Sequence, residues 1–198
     1  MSTSTKSNYH HGELREALLQ AAMRMLETGE QFSLRAVARE TGVSQTAPYR
    51  HFSDRDALES ALAARGFRDL LAALQEVAAT SSARPAEYEL AEYAVAYVEF
   101  ALRRPALFRV MFGNACDEGS EERAAAVSTI HSVLRDAVSG MFPHADAAAL
   151  ASAGWALAHG LAYLHLDGKI PSASSTAPEA AAAAHVRAAF AAILTLKT

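Results

Sequence analysis

The sequence predicts an all-α fold of about nine helices. Apolar residues recur with the 3.6-residue period of amphipathic helices along nearly the whole chain. No segment has the strict alternation or the Val, Ile and Thr clusters that are typical of strands. The long alanine-rich segments also favour helix, because alanine has the highest helix propensity. With 51% hydrophobic residues, the 198-residue chain can bury the cores of one or two small domains.

The first four predicted helices belong to the N-terminal part of the chain. Their expected ranges are 11–28, 33–40, 45–51 and 54–79. Gly29 follows the first helix and can end it, Ser33 begins the second, and Ser53 or Asp54 begins the fourth. The short linker Thr41-Gly42-Val43-Ser44 joins the second helix to the third.

Five further helices are predicted in the C-terminal part. Their expected ranges are 86–103, 105–112, 118–141, 145–167 and 178–196. Segment 81–85, Pro105, Gly113 and the loop 171–178 interrupt the periodicity between them. We therefore predict an N-terminal domain over 1–55 and a C-terminal domain over 56–198, which the fourth helix connects.

The overall charge does not indicate a nucleic-acid partner. The net charge is −4, and residues 1–56 carry seven Lys/Arg and seven Asp/Glu, against 11 and 15 in 57–198. Any basic surface must therefore come from a local arrangement of side chains. The single cysteine, Cys116, allows no intramolecular disulfide, which fits a reducing compartment.

We also expect no membrane segment and a cytoplasmic location. The opening residues MSTSTKSN lack the apolar core of a signal peptide. Segment 147–166 contains no Asp, Glu, Lys or Arg and is long enough to span a bilayer. It is mostly alanine with two histidines, so a helix buried within protein is the favoured interpretation.

The linker between the second and third helices predicts a helix-turn-helix. Gly42 can adopt the positive φ that ends a helix, Val43 fills the corner, and Ser44 is a good N-cap. Ala38 is small enough to let the two helices cross closely. In this motif the N-terminal residues of the second helix meet base edges in the major groove of DNA, which here are Gln45, Thr46 and Ala47.

Polar and basic side chains around the turn are candidates for phosphate contacts, which fix register on the duplex. The residues of this kind are Ser33, Arg35, Ser44, Tyr49, Arg50, His51 and Arg55. Phe52 is expected to turn inward as core. Pro48 has no N–H, so we expect a tight first turn in the third helix rather than a broken helix.

Segment FSLRAVARETGVSQTAPYRHFSDRDAL closely resembles the DNA-binding signature of the TetR family of bacterial regulators. Pro48 and Arg55 replace the apolar residue and the lysine that are usual there, and neither change removes a type of contact. Segments 8–19, NYHHGELREALL, and 154–170, GWALAHGLAYLHLDGKI, resemble two motifs of one TetR subgroup, which is named for its C-terminal Trp-x3-His-Gly.

The resemblance implies a function and a set of partners. It implies a homodimer in which the last two long helices of each subunit form a four-helix bundle, and a C-terminal cavity that binds a small molecule. Ligand binding then changes the separation of the two DNA-reading heads and releases the double-stranded operator. Repression is the family default, and no cofactor or metal is implied.

Aromatic side chains with a few polar tips form the predicted ligand pocket, and they favour an uncharged or weakly charged, largely apolar effector. The resemblance places their helices around one cavity. The candidate residues are Tyr93, Tyr97, Phe100, Phe108, Met111, Phe112, Trp155 and His159. Trp155 and His159 are four apart and thus neighbours on one helical face. For any single one of these residues ordinary core is the favoured interpretation, and for Trp155 and His159 it is a structural pair that fastens their helix to its neighbours.

Three alternatives remain open at this level. A metal sensor could use His131, His144, His159, His165 and Cys116, but no zinc-type spacing is present. An all-helical enzyme would need a nucleophile with a base, paired carboxylates or a cofactor motif. The acidic cluster Asp117, Glu118, Glu121 and Glu122 suits a helix N-terminus instead. A dimerisation adaptor that has lost DNA binding is disfavoured by the intact contact residues.

Overall fold

The computed structural model describes residues 4–30, 33–80, 86–113, 120–170 and 178–195. Over these ranges the chain forms eight α-helices and one 3-10 helix, with no strand. The elements are α1 (Ser4–Glu27), α2 (Leu34–Glu40), the 3-10 helix (Pro48–Arg50), α3 (Arg55–Thr80), α4 (Ala86–Arg103), α5 (Pro105–Gly113), α6 (Glu121–Met141), α7 (Ala147–Leu166) and α8 (Pro178–Thr195). The predicted all-α fold is confirmed. Phe32 and Cys116 lie outside the described residues.

The chain divides into two compact units. The first unit comprises Met1–Gly66 and Ala106–Ala124, and the second comprises Phe67–Pro105 and Ala125–Thr198. α5 and the start of α6 therefore fold with the N-terminal helices, although they follow α4 in the sequence. α3 and α6 each contribute residues to both units.

In the first unit, the central part of the apolar stripe of α1 is buried. Leu18, Ala21 and Ala22 have no exposed surface, and α2 adds Val37 and Ala38, which are equally buried. Leu107, Phe108 and Met111 of α5 also have no exposed surface. The rings of Phe108 and Phe112 lie 4.8 Å apart between centroids. Burial of this kind contributes about 1.5–3 kcal/mol for each large apolar side chain.

One buried cation joins α6 to α5 within the first unit. Arg123 is 8% exposed, and its guanidinium donates to the backbone carbonyl of Met111 at 2.8 Å. That carbonyl belongs to the last turn of α5, where helical carbonyls have no partner within the helix. Arg15 of α1 pairs with Glu122 at 3.3 Å, so the start of α6 is also tied to α1.

In the second unit, α4 packs against both α7 and α8. Val95, Val98 and Ala101 of α4 are buried, as are Ala162 of α7 and Val186 of α8. The guanidinium of Arg187 on α8 donates to both carboxylate oxygens of Glu92 on α4, at 2.6 and 2.9 Å. Asp146 caps α7 by accepting from the N–H groups of Ala148 and Ala149.

The α-helix predicted over 45–51 is wrong. Only Pro48–Arg50 are helical, and they form a 3-10 turn. Pro48 cannot donate to the Ser44 carbonyl, which instead accepts from Ala47 at 3.0 Å. The predicted cap by Ser44 is also wrong, because its hydroxyl lies 3.2 Å from the Thr46 hydroxyl and Ala47 holds the N-cap position.

Candidate nucleic-acid interface and effector cavity

The turn after α2 is built around Gly42. Its φ is +71°, which an L side chain rarely adopts. Gly42 N–H donates to the Arg39 carbonyl at 3.2 Å, and Val43 N–H donates to the Ala38 carbonyl at 3.0 Å. This pair of bonds is the Schellman motif, and it fixes the direction in which the chain leaves α2. The predicted positive φ of Gly42 is confirmed.

The segment that follows is short and exposed. Ser44, Gln45 and Thr46 are exposed, Ala47 is half-buried, and Pro48 is buried. The bonds from Ala47 to Ser44 and from Arg50 to Ala47 span three residues, as in a 3-10 helix. The residues predicted to read bases are thus presented on a turn that buried Pro48 anchors.

Candidate phosphate-binding side chains lie on both sides of this segment. Tyr49 is 49% exposed, and Arg50 and Arg55 are exposed. Arg55 donates to the Glu59 carboxylate at 2.8 Å, so a phosphate would compete with that carboxylate. His51 is half-buried, and its Nε2 atom lies inside the protein.

The helix starts on either side of the turn have side-chain caps. Ser33 accepts from the N–H of Ala36 at 3.2 Å, and Arg35 beside it is exposed. Asp54 accepts from the N–H of Ala57 at 2.8 Å and from the Ser53 hydroxyl at 3.0 Å. These bonds lower the pKa of Asp54, in that order of importance. The predicted starts of α2 and α3 are confirmed.

Phe52 anchors the end of the 3-10 segment to α1. It is 3% exposed, as predicted for a core residue, and the guanidinium of Arg15 lies 5.4 Å from its ring centroid. Arg15 therefore makes a cation–π contact with Phe52 in addition to its ion pair with Glu122. We call residues 44–50 the reading segment. Its C-terminal end is held in place by the packing of Phe52 and by the charge of Arg15.

In the second unit, a buried hydrogen-bond chain joins α4 to α7. The indole N–H of Trp155 donates to the Tyr97 hydroxyl at 3.1 Å, and that oxygen lies 2.8 Å from Nδ1 of His159. The Trp155 N–H can only donate, so the Tyr97 oxygen accepts from it, and the Tyr97 hydroxyl shares a second hydrogen bond with Nδ1 of His159. Burial raises the pKa of Tyr97 far above its usual range and lowers that of His159.

An apolar inner cavity of about 30 Å³ lies beside this chain, with room for about two water molecules. Its larger lining residues are Leu74, Leu90, Tyr93, Tyr97, Trp155 and Phe190. Of the predicted pocket residues, Tyr93, Tyr97 and Trp155 line it, whereas Phe100 and His159 do not. Phe108, Met111 and Phe112 belong to the first unit and do not line this cavity either.

A second, outer cavity of about 90 Å³ lies between α6 and α7. Its lining includes His131, Arg135 and Ser152, together with three residues that also line the inner cavity: Leu134, Ala151 and Trp155. His131 and Arg135 were not predicted as ligand residues. Their i, i+4 spacing next to the apolar stripe of α6 is the sequence signal that could have identified them.

Two further features concern the metal-sensor alternative and the possibility of a membrane helix. Within the described residues, no group of three or more His, Cys, Asp and Glu side chains is placed to hold a metal ion. α7 is the one helix there that is long and apolar enough to cross a membrane, and only 17% of its apolar window is buried. A soluble protein can meet the same criteria with a core or interface helix.

A capped helix-turn-helix with exposed polar and basic residues, joined to a helical unit with internal cavities, defines a DNA-binding transcriptional regulator. The family described as "Bacterial regulatory proteins, tetR family" matches residues 18–62. The one described as "Tetracyclin repressor-like, C-terminal domain" matches residues 90–189. The chain belongs to the TetR family, whose members are DNA-binding transcriptional regulators that act as dimers, and not enzymes.

Solved structures share the fold of this chain. A protein of unknown function from Rhodococcus sp. RHA1 is 33% identical, with a TM-score of 0.77 over 93% of this chain and 97% of its own. A bacterial regulatory protein of the TetR family from Rhodococcus RHA1 is 21% identical, with a TM-score of 0.63 over 89% and 95%. The TetR-family regulator PfmR from Thermus thermophilus is 18% identical, with a TM-score of 0.58 over 90% and 94%. The curated proteins contain no match.

Proposed function

We propose that this regulator is a cytoplasmic repressor that leaves a palindromic operator when a small, largely apolar effector binds to its second unit. The observation that carries the proposal is the joint presence of an exposed reading segment and an apolar cavity in one chain. The Trp155-x3-His159-Gly160 sequence further supports membership of the TetR subgroup named for that motif. In this proposal residues 1–55 form the DNA-binding domain.

In this proposal the DNA contacts are made by exposed or half-buried side chains around the turn. Gln45 and Thr46 meet base edges, and Ala47 offers a methyl group to a thymine methyl. The phosphate contacts come from Ser33, Arg35, Ser44, Tyr49, Arg50, His51 and Arg55. Arg50 lies within the reading segment, and it would contribute one phosphate contact to the salt dependence of binding.

The proposed dimer forms through α7 and α8. α7 has no Asp, Glu, Lys or Arg side chain, yet only three of its residues, Ala158, Leu161 and Ala162, are buried in one subunit. Leu164 on α7 and Ile193 on α8 are 44% and 52% exposed. A second copy that covers these helices would remove this apolar surface from water and would give the operator its two-fold symmetry.

A gel-shift assay with the DNA upstream of the protein's own gene tests the proposal. We expect binding to this DNA to persist in excess random competitor DNA and to show the two-fold symmetry of the site in footprinting. A transcription reporter that carries the same DNA should be repressed by the protein. Equal affinity for upstream and random DNA would refute the assignment as a sequence-specific repressor.

A further inference from the structure

The inner and outer cavities of the second unit are adjacent and share one wall. Leu134, Ala151 and Trp155 line both of them. With volumes of about 30 and 90 Å³, neither cavity holds more than a few water molecules, whereas ligand pockets are several times larger. A ligand therefore has to move part of the shared wall, and Trp155 is its largest side chain.

The chemistry of the two cavities differs. Every side chain that lines the inner cavity is uncharged, and most are hydrocarbon. The outer cavity adds the Arg135 guanidinium, the His131 imidazole and the Ser152 hydroxyl. These groups line the outer cavity and not the inner one, so an apolar body and a hydrogen-bonding or anionic head would each find a matching environment.

Arg135 is the group best suited to bind a carboxylate. Its side chain is 56% exposed, and it contacts the Ser132 hydroxyl at 3.3 Å and the exposed carboxylate of Asp136 at 3.9 Å. Both contacts are long, so they hold the guanidinium weakly. A ligand carboxylate can take two parallel N–H bonds from the guanidinium, an arrangement that Lys and His cannot offer.

We propose that the effector is an amphipathic monocarboxylate. Its hydrocarbon body enters the inner cavity, and its carboxylate binds Arg135 at the mouth between α6 and α7, with His131 and Ser152 as additional donors. This inference rests on the proposed ligand response and names its chemical class. It revises the sequence-based expectation of an uncharged or weakly charged effector.

Trp155 connects this binding event to the fold. Its indole is held by the bond to Tyr97 at 3.1 Å and by an edge contact with His131, whose ring centroid is 4.4 Å away. A ligand that occupies both cavities displaces the indole ring of Trp155. It thereby breaks the hydrogen bond between Trp155 on α7 and Tyr97 on α4. The ligand therefore favours one arrangement of these helices, which is the requirement for an effector.

The test uses the full chain and its single tryptophan, Trp155, as an intrinsic fluorophore. Decanoate and 1-decanol have the same hydrocarbon chain and differ in the head group. Both are titrated as monomers into wild type, Arg135→Gln and the matched control Arg103→Gln, an exposed arginine on α4. We expect wild type and the control to bind decanoate at least tenfold more tightly than decanol. Arg135→Gln should lose that preference and keep its decanol affinity.

A second variant tests the inner cavity. Gly154 lines it, and an added Cβ would meet Leu90 and Phe190 at ordinary contact distances of 3.9 Å. Gly154→Ala should fold normally, and Gly154→Leu should fill the cavity and weaken both probes at least tenfold. Equal affinities for the two probes in wild type would overturn the proposal. An equal loss of decanoate affinity in Arg135→Gln and Arg103→Gln would also overturn it. The same holds if Trp155 fluorescence does not change during the titration.

The fluorescence titration contains no DNA. A protein that binds its operator but not decanoate would refute this inference alone. A protein that binds decanoate but no operator would refute the proposed repressor function alone.

Discussion

A Cβ atom on Gly66 of α3 would lie 2.5 Å from the sulphur atom of Met111 on α5 and 3.1 Å from Cγ of Leu107. α5 therefore lies against α3 at a position where only a hydrogen atom fits. Met111 and Leu107 have no exposed surface, so neither side chain can move into solvent to make room. This contact fixes the place of α5 in the first unit.

Gly66→Ala should destabilise the protein by about 1–3 kcal/mol, because the added methyl group overpacks the contact with α5. Gly12→Ala is the matched control. Gly12 also lies within a helix, but an added Cβ meets nothing within 4 Å there. The control should be neutral or stabilising by up to about 1 kcal/mol, since alanine favours helix. Thermal unfolding followed by circular dichroism distinguishes the two variants, and equal melting temperatures would contradict the close packing.

Arg123→Met should destabilise the first unit by about 1–3 kcal/mol, because it leaves the Met111 carbonyl without its guanidinium donor in a buried place. Arg123→Lys should recover part of this loss, since an ammonium group can donate to the same carbonyl. Chemical denaturation of the three proteins measures the difference. Identical unfolding midpoints for Arg123→Met and wild type would show that the 2.8 Å bond contributes nothing.

Arg50→Gln should weaken binding to operator and to random DNA by a similar factor. It should reduce the slope of log affinity against log salt by about 0.9, the value for one phosphate contact. Gln45→Ala should instead change which base is preferred, by about 1–3 kcal/mol for a bidentate contact, and leave the slope unchanged. Binding titrations at several salt concentrations measure both effects. The assignment is wrong if Arg50→Gln alters base preference and keeps the slope.

Leu164→Glu combined with Ile193→Glu should convert a dimer into monomers, because the exposed apolar surface of α7 and α8 would then carry buried like charges. Tyr88→Glu is the control, since Tyr88 is 61% exposed but lies on α4. Light scattering at micromolar concentration gives the mass of each variant. A dimer that persists in the double variant would place the interface elsewhere.

Stability should fall as the pH is lowered below about 6.5, the ordinary histidine pKa. Burial lowers the pKa of His159, and burial together with the neighbouring His185 lowers that of His165. Between the lowered values and about 6.5 the unfolded chain binds more protons than the folded one, so acid favours unfolding. Above about 6.5 this stabilisation is fully present.

The measurement is the melting temperature between about pH 5 and 8, the range in which histidines titrate. His165→Gln should flatten the profile by removing one of the two groups and its contact with His185, where Nε2 and Nδ1 are 3.2 Å apart. His144→Gln, which changes an exposed histidine, should leave the profile as in wild type. A melting temperature that rises towards the acidic end would contradict the direction of both shifts.

Short-range chemistry could be predicted from the sequence. Gly42 ends α2 because a residue without a side chain can adopt a positive φ. Ser33 and Asp54 each accept a hydrogen bond from an N–H group three residues further on and so cap a helix. The 3-10 turn was missed because the backbone effect of Pro48 outweighed the expected α-helix. Pro48 removes the one N–H that would have closed the first α-turn.

Long-range packing could not be predicted in the same way. Helical periodicity shows which face of α5 is buried but not which helix covers it, so the return of α5 to the first unit was not foreseen. The spacing of Trp155 and His159 predicted a pair on one face, yet their partner Tyr97 lies 58 residues from Trp155. Arg135 was missed because its role depends on a cavity that only the packing of α6 and α7 creates.

The short 3-10 turn in the reading segment limits how many base pairs one subunit can recognise by direct contact. Only Pro48–Arg50 are helical, and Gln45 and Thr46 before them lie in a turn rather than on the face of an α-helix. Few of the side chains between Ser44 and Arg50 can therefore reach base edges at once, and each half-site is distinguished at few base pairs. We expect binding sites in the genome to be degenerate in sequence at the bases the protein does not touch. There, the stiffness and groove width of the DNA supply the remaining discrimination.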